Sequence, residues 1–184
     1  WNAVVDLRAC SGVLFGGYGY SSAGSAGTQG ADIGCPYGRG RADWVMKKKI
    51  VECVPNFSEG NDNEVLNSIS AAISGSKGVS LLNVDSGKAT NRTVMTFVGD
   101  PDSVVKAAFN AIKVASEKID MSKHKGEHPR FGATDVCPLV PVANISMEET
   151  VKYAHQLAKR AGEELNYPIY CYEFAALSPE RKNL

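Results

Sequence analysis

From residue 50 onward the sequence predicts an α+β fold, an antiparallel sheet with helices on one face. Two observations lead there. Short β-rich runs such as 50–54, 79–84 and 93–98 alternate with longer segments of helical period. Gly, Pro and Asp fall between them, where turns and caps are needed.

Ile50 to Val54 is an apolar run closed by Pro55, a strand leading into the loop Asn56-Phe57-Ser58-Glu59-Gly60. Val65, Leu66, Ile69, Ala72 and Ile73 form one face of a helix that stops at Gly75 or Gly78. Val79 to Val84 and Thr93 to Val98 read as strands joined by a longer hairpin loop over 85–92. Asp100 caps the next helix, with Pro101 in its first turn, and Val104, Val105, Ala108, Ile112, Ala115 and Ile119 are its buried face. Val136 to Val142 is a strand that Pro138 and Pro141 make an edge or an irregular ladder. Ser146 and Glu149 form a capping box for a helix to about Leu165, and Ile169 to Tyr172 is the last strand. The order is βαββαβ with a further αβ extension, the split βαβ arrangement of ferredoxin-like folds. Such a fold hosts many functions and specifies none.

Residues 1–45 differ in composition. Ten of them are Gly, and no helical or strand period runs through them. The first methionine is Met46, followed by three lysines and the first strand. Residues 1–45 are therefore expected to be a disordered leader outside the packed domain, either artefactual with a native start at Met46 or a genuine Gly-rich segment. The domain proper is 46–184.

Twenty basic residues balance twenty acidic ones, so no overall field favours nucleic acid or an anionic membrane. No apolar run suits a membrane span, and a cytoplasmic protein is expected. The five cysteines, Cys10, Cys35, Cys53, Cys137 and Cys171, contain no CxxC pair and read as reduced thiols, the last three within strand-like runs.

The densest polar constellation is Lys123-His124-Lys125-Gly126-Glu127-His128-Pro129-Arg130. An imidazole passes protons at neutral pH, and Lys125 and Arg130 beside it suit a substrate bearing carboxylates. A solvated basic loop is the plainer reading of the same residues. The i, i+4 spacing of His124 and His128 faces one metal only on a helix, which Gly126 and Pro129 oppose, so no metal is expected. His155 reads as a partly exposed helix residue.

The strings Ile50 to Gly60, Asp85 to Val94, Thr96 to Gly99 and Ile119 to Pro138 resemble, in order and spacing, the N-terminal subdomain of the formimidoyltransferase family. The resemblance covers residues 50 to 176. It implies transfer of the formimino group from N-formimino-L-glutamate to tetrahydrofolate as co-substrate, a step of histidine degradation and one-carbon metabolism, by a homo-oligomer when full length. It also implies a pair of ferredoxin-like subdomains, of which this chain would supply the first and lack the end of that one and all of the second. Nothing in the chain resembles the cyclodeaminase domain fused in animal relatives. The family's catalytic histidine maps onto His128. Asp85 is the candidate to orient its imidazole, with a turn former as the plainer reading, and Lys125, Arg130, Asn56, Asn91 and Arg92 are candidates to bind substrate. The alternatives are a non-catalytic lone subdomain with a folate-binding or partner role, and an RNA-binding module, against which the strand 92–99 lacks paired aromatics.

Overall fold

The computed structural model describes residues 5–9, 48–127 and 130–182. Its elements are β1 (Val5–Ala9), β2 (Ile50–Cys53), β3 (Asn56–Phe57), α1 (Asn63–Ser74), β4 (Val79–Gly87), β5 (Arg92–Gly99), α2 (Pro101–Lys118), β6 (Thr134–Val136), β7 (Leu139–Ala143), α3 (Met147–Leu165) and β8 (Ile169–Glu173), then a 3-10 turn at Pro179–Arg181. The fold is α+β: among the described residues, three helices and one mixed sheet, antiparallel through its centre.

Proline explains the strand breaks. Pro55 lacks the N–H a ladder needs, so the first strand divides into β2 and β3, both still antiparallel to β5. Pro138 likewise separates β6 from β7. Pro141 is tolerated in β7 opposite Val51, where the register shifts. The β6/β7 strand is thus irregular, and it is no edge, because β2 and β3 flank it on one side and β1 on the other. Across the sheet the order is β4, β5, β2/β3, β6/β7, with β1 and β8 beyond.

Alternation along the strands decides the two faces. Val51, Cys53, Phe57, Met95, Phe97 and Leu139 are fully buried and share one core with Leu66, Ile69 and Ile73 of α1 and all six expected residues of the α2 face. The intervening residues Glu52, Val94, Thr96, Val98 and Val140 are only half-buried, so this second face is more open. Each helix is capped by a side chain. Asp62 accepts from the Glu64 and Val65 amides, Asp100 from Ser103, and Ser146 from Glu149, each cap contributing roughly 1 kcal/mol. The capping box is half-formed, because the Glu149 carboxylate pairs with Lys49 instead of reaching back. α2 lies between α1 and α3.

One expectation needs correction. The 85–92 segment is not one long loop: β4 continues through Asp85, Ser86 and Gly87, paired with Val94, Thr93 and Arg92, because ladder hydrogen bonds outweigh the weak strand propensity of these residues. Only 88–91 turn. Val5–Ala9 forms β1, parallel to β8 in register from Val5↔Ile169 to Ala9↔Glu173 and parallel to β6 and β7 on its other side. Its sequence alternates apolar and polar residues, as a strand requires. The rest of residues 1–45 lies outside the described residues, with Cys10 and Cys35. Cys53, Cys137 and Cys171 are buried. The Cys53 and Cys137 sulfurs are 3.6 Å apart, and burial, then the neighbouring thiol, pushes the Cys53 pKa well up.

Candidate functional site

Period-two alternation on β4 and β5 sends Asp85, Gly87, Arg92 and Val94 to the open face, and Asn56, paired with Val94, joins them from β3. With Thr90 of the hairpin turn these residues line a cleft of about 250 Å³. Asp85 is exposed, while Asn56 is half-buried and donates to the Val54 carbonyl at 3.2 Å. Beneath Arg92 lies the buried carboxylate of Asp135 on β6, 3.6 Å from its guanidinium. A larger groove of about 530 Å³ at the start of α2 and α3 is lined by Asp102, Glu148 and Glu149 among others and holds none of the expected site residues.

The loop after α2 packs against this cleft. It opens with an Asp120 turn: that carboxylate accepts from the Ser122 hydroxyl (2.6 Å) and amide and pairs with Lys123, contacts that hold its pKa down to about 2. Further on, the loop is tied to the hairpin turn at Thr90 and Asn91. The Asn91 amide nitrogen donates to the Lys125 carbonyl (3.1 Å), and its oxygen accepts from the Gly60 amide (2.8 Å) and Asn61 (2.9 Å). Arg130 donates to the Asn91 carbonyl (2.8 Å) and the Thr90 carbonyl (2.6 Å). A Cβ at Gly126 would meet the Thr90 oxygen at 2.6 Å, so only glycine allows this approach.

Arg130 also donates to Nε2 of His124. Burial, then the Arg130 charge, lowers the His124 pKa below its ordinary value. His155 donates from Nε2 to the Ala175 carbonyl at 2.8 Å, fastening α3 to the end of β8, which is more than its sequence position suggested.

The expected site residues therefore fall into two groups. Asn56, Asp85 and Arg92 converge on the cleft; Asn91, Lys125 and Arg130 build the joint between turn and loop, with the Lys125 side chain exposed. His128 lies outside the described residues. Sequence reading missed Asp135 and Thr90. A carboxylate inside a strand beside Thr134 was the available signal for Asp135, since a buried charge demands a partner. Among the described residues no three His, Cys, Asp or Glu side chains gather as metal ligands, and no helix is long and apolar enough to cross a membrane.

Residues 50–184 match the family model for the formiminotransferase domain, N-terminal subdomain. The chain is 58% identical over 136 residues to formimidoyltransferase-cyclodeaminase of Mus musculus, covering 74% of this chain and 25% of that protein. It is 52% identical over 136 residues to glutamate formimidoyltransferase of Streptococcus pyogenes, covering 74% and 46%. With glutamate formimidoyltransferase of Thermoplasma acidophilum the identity is 51% over 135 residues, covering 73% and 45%. The chain thus spans between a quarter and a half of the length of these relatives. The cleft and the loop joint both lie inside the matched span, and the chain belongs to the formiminotransferase family through its N-terminal subdomain.

Proposed function

We propose that the protein transfers the formimino group from N-formimino-L-glutamate to tetrahydrofolate, releasing glutamate and 5-formiminotetrahydrofolate. One observation carries this reading: Asn56, Asp85 and Arg92, singled out from the sequence, line one cleft inside the span matched to the family. The names of the relatives supply the reaction class.

Tetrahydrofolate supplies the N5 amine on which the formimino carbon is received. That bond forms as the bond from the carbon to the glutamate nitrogen breaks; N5 gives up a proton and the leaving nitrogen gains one. His128 takes the first proton and returns the second, which needs an imidazole neutral at the start. Asp85 orients that imidazole and stabilises it when charged. Arg92 receives a substrate carboxylate, Lys125 adds positive charge at the rim, and Asn56 supplies an amide on the cleft wall. Asn91 and Arg130 fit the joint that holds the loop better than a place among the substrate ligands. No metal takes part, because an imidazole suffices to move a proton between two nitrogens.

The sheet order β6/β7, β2/β3, β5, β4 supports a ferredoxin-like subdomain. A cleft of about 250 Å³ is below the roughly 300 to 1,000 Å³ of small-molecule sites, which fits one wall of a site completed elsewhere. The full-length protein is read as a cytoplasmic homo-oligomer.

The test is direct. Full-length protein incubated with N-formimino-L-glutamate and tetrahydrofolate should release glutamate and form formiminotetrahydrofolate in equal amounts. Glutamate release without folate product, or neither, would overturn the reading.

A further inference from the structure

Asp135 is the only buried charged residue among those whose side chains are described. Its two oxygens have separate tasks. Oδ1 accepts from the Phe131 amide at 2.8 Å, at the end of the loop, and Oδ2 faces the Arg92 guanidinium at 3.6 Å. That side chain is 5% exposed and Arg92 only 22%, so water screens the pair weakly. Arg130 belongs to the same field: burial lowers its pKa, the Asp135 charge opposes that shift and the Arg92 charge adds to it. One buried carboxylate thus lies among two guanidiniums, one lining the cleft and one holding the loop joint.

We propose that Asp135 is a positioning residue that acts through Arg92: its carboxylate holds the Arg92 guanidinium at the cleft wall, where it receives a carboxylate of the substrate, and ties that setting to the loop at Phe131. The proposal rests on the reading of the cleft given above. At 3.6 Å the contact is too long for a hydrogen bond and steers by charge. A carboxylate that only neutralised the two arginines would have the opposite effect on ligands, because its removal would leave the cleft more positive and tighten the binding of anions. The two roles therefore predict opposite signs.

Steady-state kinetics of the full-length protein with Asp135→Asn, Arg92→Ala and the double variant separate them. Asn keeps an acceptor for the Phe131 amide and removes the charge. Asp135→Asn should raise KM for N-formimino-L-glutamate about tenfold, leave kcat within about threefold, and leave KM for tetrahydrofolate unchanged. In the Arg92→Ala background it should add less than about twofold, because its target is gone. An unchanged or lower KM in Asp135→Asn, or a full further increase in the double variant, would overturn the proposal. Should Asp135→Asn not fold, Asp135→Glu takes its place, with a raised KM expected and an unchanged KM overturning. Arg92→Ala alone checks the underlying reading. If it leaves KM untouched, the cleft reading itself fails; if it raises KM while Asp135→Asn does not, only the role of Asp135 falls.

Discussion

Asn91 sits at φ 48°, in the left-handed region where asparagine is tolerated better than most side chains. From there its side-chain amide bonds in two directions, to Gly60 and Asn61 through oxygen and to the Lys125 carbonyl through nitrogen. Asn91→Asp keeps the first set and sets a carboxylate against a carbonyl in the second. We expect faster tryptic cleavage after Lys123 and Lys125 in this variant, with the thermal midpoint lowered by only a few degrees, as the loss of about 1 kcal/mol implies. An unchanged cleavage rate would show that the bond to Lys125 does not hold the loop. The neighbouring His124 makes the joint sensitive to pH. Its pKa is lowered on folding, so its contribution is complete above the ordinary value of 6.5 and is lost as the pH falls through the folded value. Denaturant midpoints of the parent should therefore drop further between pH 7.5 and 5 than those of His124→Gln; equal drops would contradict this. The sequence showed Asn91 and His124 as polar residues near a loop. It could not show that they meet, since they are far apart in the chain and only the β4–β5 pairing brings the turn to the loop.

At the scale of elements, α2 was the most legible, because its apolar residues recur at the helical period and Asp100-Pro101 marks its start. Its face was expected residue by residue, and Ile112 is 1% exposed in the shared core. Ile112→Ala should cost about 2–5 kcal/mol in a urea titration, the range for emptying a packed site. A cost near zero would mean that α2 is not seated on the sheet as described. The strands were less legible. Asp85 to Gly87 have poor strand propensity, and pairing with β5 makes them a strand, which is what sets Asp85 and Gly87 opposite Val94 and Arg92 along the cleft. The division at Pro55 and Pro138 was signalled by the prolines, whereas β1 depends on partners more than a hundred residues away.

Across the whole molecule, the helices cover one sheet face and the other carries the cleft, with Val94, Thr96, Val98 and Val140 only half-buried along it. The relatives are two to four times longer than the matched span. Family membership was legible because long strings such as Ile119 to Pro138 match in order; the pairing of Arg92 with Asp135 was not, because it depends on which strand faces which. The proposed assignment has His128 move the proton while His124 serves the loop joint. It is tested most directly by comparing kcat of the full-length His128→Ala and His124→Ala variants. His128→Ala should lose roughly 100-fold or more in kcat with little change in folate affinity, and His124→Ala should act chiefly on KM or stability. Near-normal kcat in His128→Ala, or the larger kcat loss in His124→Ala, would contradict the account.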